Sequence, residues 1–223
     1  MIFEKLNNGA HINIFSPKSI YYNENFDLEN LKNYKKYLKD ISKKNKLFKS
    51  DLININTSHS TDYHLNDDDF FKPLLNKVLE ESKLYLQRLG YDNNFCSNIF
   101  IESSWFNIGS KNDNLVKHIH PGSLLSGAFY VECDNKDDKI FFFGDDDMIL
   151  PPQNYNELSS KFTSYSCLPG SLLLFKSNIN HCTNKQNSKE KITISFNINH
   201  KWIFLITVLL MVITLMKKFV MIC

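Results

Sequence analysis

The sequence predicts a mainly β domain, built as a sandwich or barrel and preceded by helices. From about residue 98 onward, short apolar or alternating runs follow one another, and turn-forming residues separate them. Before that point, apolar residues recur at helical spacing instead. The chain has 223 residues, which is enough for one domain with a substantial core.

Two helices are predicted in the N-terminal part of the chain. Residues 27–41 carry apolar side chains at helical spacing, and Asp27 suits the N-cap position. Residues 69–89 show the stronger pattern, with Pro73 in the first turn, where no helical hydrogen bond is lost. Gly90 then suits the position that follows a helix.

Seven strands are predicted after the helices, and they divide the chain into three parts. We expect a helical or mixed support region at 1–97, a β core at 98–200 and an apolar tail at 201–223. The predicted strands are 98–108, 115–120, 124–133, 139–143, 161–167, 171–176 and 190–198.

Three histidines are the main candidates for chemistry. His118 and His120 are one residue apart, and alternation along an extended strand would turn both imidazoles to the same face. His181 follows a distant apolar strand and could join them. Imidazole ligands suit iron, and three protein ligands with the opposite positions open are the arrangement of non-haem Fe(II) oxygenases.

The order of motifs around these histidines is specific. Residues 118–127 read H-I-H-P-G-S-L-L-S-G, residues 170–177 read G-S-L-L-L-F-K-S, and residues 190–197 read E-K-I-T-I-S-F-N. With W-F-N at 105–107, this order resembles the 2-oxoglutarate/Fe(II)-dependent oxygenases over residues 55–198. It is most similar to their poorly characterised subfamily with an H-x-H-P-x-S-x-L-S-G motif. The resemblance implies a double-stranded β-helix (jelly roll) with N-terminal helices packed on it.

The resemblance also implies a set of metal ligands. By position, His118 and His181 would hold Fe(II), and His120 would be the third ligand where most of the superfamily has Asp or Glu. In the alternative arrangement His120 lies behind the site, and a carboxylate such as Asp113 or Asp145 binds instead.

A cation that holds the distal carboxylate of 2-oxoglutarate is implied next. Lys191 and Thr193 occupy the place of the Arg-x-Ser that is common in the superfamily, and they keep its positive charge and its hydroxyl. Lysine lacks the bidentate geometry of arginine. Asn107, Ser126 and Tyr130 are further candidate polar contacts to the cosubstrate.

The expected function is therefore a 2-oxoglutarate- and Fe(II)-dependent dioxygenase. It would consume dioxygen, hydroxylate an unidentified small molecule or side chain, and release succinate and CO2. One alternative is a three-histidine, cupin-type iron dioxygenase that is independent of 2-oxoglutarate. The other is a non-catalytic metal-binding jelly-roll module, which would have no need of a cation at Lys191.

Charge and cysteine content exclude other classes. The formal net charge is +2 and the charged residues are interleaved, so no basic stripe supports binding to nucleic acid. The five cysteines form no C-x-x-C pair, which favours free thiols in a reducing compartment. The N-terminus does not resemble a signal peptide, so we expect a cytoplasmic protein.

The C-terminal tail is strongly apolar. Residues 202–216 carry no charge and precede Lys217 and Lys218, but a bilayer span needs about 20 apolar residues unless such lysines snorkel. The first interpretation is a transmembrane helix that anchors the protein, with membrane contact through 202–222. The second is a buried terminal helix or strand, and the third is an accidental extension of the reading frame.

Overall fold

The structure is a computed structural model. It describes residues 2–5, 11–13, 18–49, 53–59, 61, 63–144, 153–154 and 159–202. The helices are α1 (Leu31–Lys44), α2 (Lys72–Arg88) and α3 (Asn93–Cys96), with short 3-10 helices at Leu65–Asp67 and Asp69–Phe71. The strands are β1 (Ile2–Lys5), β2 (His11–Asn13), β3 (Ile20–Asn23), β4 (Ile53–Asn54), β5 (Asn56–Thr57), β6 (Ile99–Ser110), β7 (Asn114–Leu115), β8 (Leu125–Cys133), β9 (Lys139–Phe143), β10 (Phe162–Ser166), β11 (Leu172–Lys176), β12 (His181–Thr183) and β13 (Glu190–His200).

Nine strands form a large sheet and a smaller sheet that packs against it, and the other four described strands form the pairs β1–β2 and β4–β7. Six strands pair in the order β3-β11-β8-β13-β6-β5, and three pair in the order β10-β9-β12. Every pairing in the two sheets is antiparallel. Side chains from both sheets share one buried cluster, which includes Ala128, Phe142 and Phe175. The predicted jelly roll is therefore confirmed.

The helices cover the other face of the large sheet. Leu38 of α1 and Leu74 of α2 belong to one apolar cluster with sheet residues such as Phe106 and Phe129. These four side chains are at most 1% exposed, so the helices bury a continuous apolar face of the sheet. The prediction that N-terminal helices pack on the jelly roll is confirmed as well.

Alternation along β13 separates the two faces of the large sheet. Ile192, Ile194, Phe196 and Ile198 point into the helix-facing core, and each is 0% exposed. The residues between them, 191, 193, 195 and 197, line a cavity on the opposite face. This is the period-two pattern of a strand that is covered on both sides.

Gly127 shows how tightly β8, β11 and β13 are packed. A Cβ atom at this position would lie 2.6 Å from the carbonyl oxygen of Leu173 and would overlap the ring of Phe196. No larger residue fits without displacing a neighbouring strand. The small residue at the end of the H-x-H-P-x-S-x-L-S-G motif is therefore needed for packing.

The beginning of α1 differs from the prediction. The helix begins at Leu31, and Asn30, not Asp27, occupies its N-cap position. Asp27 is 4% exposed, accepts hydrogen bonds from Tyr34 and Asn30, and forms an ion pair with Lys77. Its carboxylate therefore joins the segment before α1 to both helices. The predicted Asp27 cap is wrong because this long-range pairing competes with local capping.

The strand predicted at 115–120 is also wrong. Only Asn114–Leu115 forms a strand there, and His118 makes a single isolated bridge to His181. Between Leu115 and His118 the chain forms no β-ladder, because it leaves the short β4–β7 pair and crosses to β12.

Two further predictions concern the ends of the core. The large sheet takes β3 and β5 from before residue 98, so the sheet extends across the predicted boundary at 97, and that boundary stays a prediction. The predicted transmembrane helix is corrected: among the described residues, no helix is long and apolar enough to cross a bilayer. Residues 203–223, to which most of that prediction referred, lie outside the described part of the chain.

Candidate active site

The three predicted histidines come together on the cavity side of the large sheet. One ring nitrogen from each of His118, His120 and His181 lies within 4.8 Å of the other two. The ring centroids are 4.2 Å apart for His118 and His181, and 5.1 Å apart for each of the other two pairs. This spacing allows the three imidazoles to meet at one metal ion.

Backbone hydrogen bonds hold the histidine pair in place although 116–120 is not a strand. His118 and His181 exchange both of their backbone N–H···O hydrogen bonds, each 3.0 Å long. The N–H of His120 donates to the carbonyl oxygen of Ser177 at 2.9 Å. Two residues of one loop are thus fixed against β12 and the segment that follows β11.

The hydrogen bonds of the rings fit a metal-binding role. The Nδ1 atom of His118 donates to the carbonyl of Val116 at 2.7 Å, and that of His181 donates to the carbonyl of Ile179 at 2.9 Å. The Nδ1 atom of His120 lies 2.8 Å from Oδ1 of Asn197. With every Nδ1 occupied, the three Nε2 lone pairs remain for an ion, which is the usual arrangement of metal-ligating histidines.

The environment keeps the imidazoles of His120 and His181 neutral. Burial, followed by the charge of His118, lowers the pKa of His181 to about 3. Burial, followed by the charge of the same neighbour, lowers the pKa of His120 to about 4. Only a neutral imidazole has a lone pair to give to a metal, so both residues are ready to bind at neutral pH.

Of the two carboxylates proposed as alternative ligands, one lines the cavity but is engaged by other groups, and the other is not described. Asp113 is 6% exposed, and its carboxylate accepts from Lys49 Nζ at 2.6 Å and from the backbone N–H of Ser110 at 2.9 Å. Asp145 lies outside the described residues. Within the described part of the chain, the histidine cluster includes no carboxylate.

The cavity beside the cluster measures about 570 Å³ and holds most of the predicted cosubstrate contacts. Thr193 of β13 pairs with Asn107 of β6 on one side and with Tyr130 of β8 on the other. All three side chains and that of Lys191 line the cavity. Burial raises the pKa of Tyr130 well above its usual value, so this group stays a neutral hydroxyl.

Lys191 is a buried cation that faces this cavity. It is 3% exposed and forms neither an ion pair nor a side-chain hydrogen bond with the residues that the structure describes. Its charge contributes to the lowered pKa of Asp138, although burial alone would raise that pKa. Asp138 is itself engaged by the side chain and backbone of Ser188, so Lys191 remains able to bind a further anion.

Ser126 differs from the other predicted contacts, because it lies behind the cavity wall. It is 1% exposed, and its hydroxyl bonds to the hydroxyl of Ser177 and to Oδ1 of Asn197, both at 2.8 Å. Ser126 therefore supports the side chain that contacts His120.

Three further residues of the site escaped the sequence reasoning. Asn197 contacts His120, Trp105 stacks on His120 with ring centroids 5.8 Å apart, and His59 meets the Trp105 ring edge-on at 4.5 Å. All three line the cavity. Strand alternation was a usable signal for Asn197, since it shares the parity of Lys191 and Thr193. No local pattern distinguishes His59 from a solvent-exposed histidine.

Comparisons with known proteins agree with this geometry. A protein family described as "Putative 2OG-Fe(II) oxygenase" matches residues 103–197, which hold all three histidines and Lys191. No curated protein matches the chain by sequence.

Solved structures share the fold. The α-ketoglutarate-dependent epimerase SnoN from nogalamycin biosynthesis aligns with a TM-score of 0.60 at 9% identity, over 82% of this chain and 79% of SnoN. A prolyl-4-hydroxylase from Pseudomonas putida aligns with a TM-score of 0.55 at 10% identity, over 82% and 94% of the two chains. HygX from Streptomyces hygroscopicus, solved with nickel and 2-oxoglutarate, gives 0.54 at 10% identity, over 82% and 83%.

The family match, the shared jelly roll and the three convergent imidazoles lead to one assignment. Over residues 103–197 the chain matches the 2-oxoglutarate/Fe(II)-dependent oxygenases, enzymes that use Fe(II) as cofactor and 2-oxoglutarate as cosubstrate.

Proposed function

We propose that this protein hydroxylates a C–H bond of an organic substrate and releases succinate and CO2. One observation carries the proposal: three imidazoles with free Nε2 atoms converge at a cavity that also contains a buried lysine with no ion pair among the described residues. When bound, Fe(II) and 2-oxoglutarate supply the oxidising chemistry, in which one oxygen atom of O2 enters the substrate and the other enters succinate. The balance is R–H + O2 + 2-oxoglutarate → R–OH + succinate + CO2.

His118, His120 and His181 hold the iron in this proposal. Their Nδ1 hydrogen bonds fix the orientation of each ring, and the low pKa of His120 and His181 spares the metal competition with protons near neutral pH. His181 also packs against the ring of Phe175, with ring centroids 4.6 Å apart, so an apolar wall keeps water from its back.

Lys191 and Thr193 bind the distal carboxylate of the cosubstrate. The ammonium supplies the charge and the hydroxyl supplies a donor from the same face of β13. Asn107 and Tyr130 lie beside Thr193 on the two neighbouring strands and provide further polar contacts. Ser126 is left out of this set because it lies behind the wall.

The decisive experiment is an anaerobic titration of the protein with Fe(II) and 2-oxoglutarate. We expect the weak visible charge-transfer band of the iron chelate, and stoichiometric succinate once O2 is admitted. His181→Ala should abolish the band, because it removes a buried ligand. His64→Ala is the matched control, since His64 is exposed and outside the cluster, and it should keep the band.

A three-histidine dioxygenase that ignores 2-oxoglutarate is the second candidate. The lack of a carboxylate in the described cluster favours it. Tight iron binding without a charge-transfer band, together with turnover that does not respond to 2-oxoglutarate, would select this candidate. Failure of the protein to bind iron at all would contradict both.

A further inference from the structure

Asn197 connects the third candidate ligand to the core of the large sheet. Its Oδ1 atom lies 2.8 Å from His120 Nδ1 and accepts a second hydrogen bond from Ser126 Oγ at 2.8 Å. Its Nδ2 atom donates to Ser103 Oγ at 3.3 Å. We propose that Asn197 is a positioning residue, which orients the ring of His120 so that it can bind a metal ion. The inference rests on the proposed function, because it assumes a metal at the cluster.

The chemistry of the amide fixes the tautomer of His120. An amide oxygen can only accept, so the proton of the neutral His120 ring must lie on Nδ1. The lone pair is then on Nε2, on the side of His118 and His181.

Trp105 holds the same ring on another side. Its indole stacks on the His120 imidazole with ring centroids 5.8 Å apart and an interplanar angle of 21°. Stacking restricts tilting of the ring, and the hydrogen bond to Asn197 restricts its rotation. His120 therefore needs no strand around it to keep one orientation.

The pairing of His120 with Asn197 suits a histidine at this position. A carboxylate at 120 would carry no N–H to donate to Oδ1, so the amide would have to turn and present its NH2 group instead. The amide also holds the ring without adding a negative charge, so the cluster stays a set of three neutral ligands. Asn197 and His120 thus form a matched pair in place of a single carboxylate ligand.

Two variants separate positioning from packing. Asn197→Leu keeps most of the side-chain volume but removes the acceptor, whereas Asn197→Asp keeps an acceptor and adds charge. Ser103→Ala is the control, because it removes the bond at the other end of the amide and leaves the contact with His120. The probes are Co(II) alone, followed by its visible absorption, and Fe(II) with 2-oxoglutarate, both anaerobic.

We expect Asn197→Leu to weaken Co(II) binding by about 10- to 100-fold, the usual range for loss of a partner that orients a ligand. Asn197→Asp should restore the affinity to the native level or above. It should also move the Fe(II)–2-oxoglutarate band to longer wavelength, since a more basic His120 makes iron easier to oxidise. Ser103→Ala should bind Co(II) as the native protein does.

The outcomes distinguish this inference from the proposed function. If the native protein binds Co(II) and shows the iron band while Asn197→Leu matches it, the positioning role is overturned and the function stands. If Asn197→Asp binds as poorly as Asn197→Leu, or if Asn197→Leu does not fold and Asn197→Asp leaves the band unmoved, Asn197 serves packing only. If the native protein binds neither metal, the proposed function itself fails.

Discussion

The two faces of the large sheet have opposite compositions along the same strand. On β13, the side chains at 192, 194, 196 and 198 are apolar and completely buried against the helix-facing core. The side chains at 191, 193, 195 and 197 are polar and line the cavity. The first face buries apolar side chains, which stabilises the fold. The second face carries a cation, two hydroxyls and an amide at the cavity, so it buries less apolar surface. Stability and chemistry can therefore be perturbed separately within one strand.

The largest expected effect breaks the apolar face. Phe196→Ala removes a fully buried ring, and such truncations cost about 3–5 kcal/mol of unfolding free energy. Urea unfolding of the metal-free protein measures this loss. A loss below about 1 kcal/mol would mean that neighbouring side chains of the helix-facing core fill the space left by the ring. The contrast between the two faces would then be weaker than proposed.

A change on the polar face should affect binding and not folding. Lys191→Met removes a buried charge, so 2-oxoglutarate affinity should fall by about 10- to 100-fold, equivalent to a charged hydrogen bond of about 1.5–3 kcal/mol. Unfolding free energy should stay the same or rise, because a cation without an ion pair among the described residues is costly to bury. Anaerobic titration with 2-oxoglutarate measures the affinity, and urea unfolding measures the unfolding free energy. Native cosubstrate affinity in this variant would exclude Lys191 from the binding site.

The smallest expected effect is the dependence of stability on pH over the first unit below pH 6.5. His181 is 5% exposed and its pKa is lowered to about 3, whereas in the unfolded chain it is about 6.5. Below pH 6.5 the unfolded chain therefore binds a proton that the folded protein does not. Stability falls as pH decreases from 6.5 toward 3, by about 1 kcal/mol between pH 6.5 and 5.5.

Urea unfolding of the chelator-treated protein at several pH values measures this slope. His181→Asn provides the comparison, because it removes the titrating group, and its slope over the same window should be shallower. Equal slopes in the two proteins would show that His181 is not shielded from protons in the folded state.

Many of the strands and helices could be predicted from the local spacing of apolar and turn-forming residues. β8, β9, β10 and β11 lie within one residue of the strands predicted at 124–133, 139–143, 161–167 and 171–176. The helix predicted at 69–89 appears as a 3-10 turn followed by α2, and Gly90 follows it with a φ of +94°. Such patterns work because burial on one or both faces repeats with the period of the element.

The errors fall where long-range contacts override local preference. Asp27 has the character of a helix cap but pairs with Lys77 of α2, and 116–120 alternates like a strand but is held as a loop. In both places, contacts with residues distant in sequence stabilise the chain more than the local hydrogen bond would. A single sequence carries no direct record of those partners.

The sequence by itself indicated a β sandwich or barrel with N-terminal helices and singled out the three histidines, and its resemblance to the oxygenases implied the jelly roll and the cation on β13. Residue type and strand parity settle which face each side chain of β13 takes. The tertiary structure decided that Asp113 is engaged by Lys49, that Ser126 supports Asn197, and that Asn197 and Trp105 orient His120. These relations depend on strand register and on approaches of 2.6–2.8 Å between residues far apart in the chain. Only the packed fold brings such groups together, since hydrogen bonding is steeply sensitive to distance and direction.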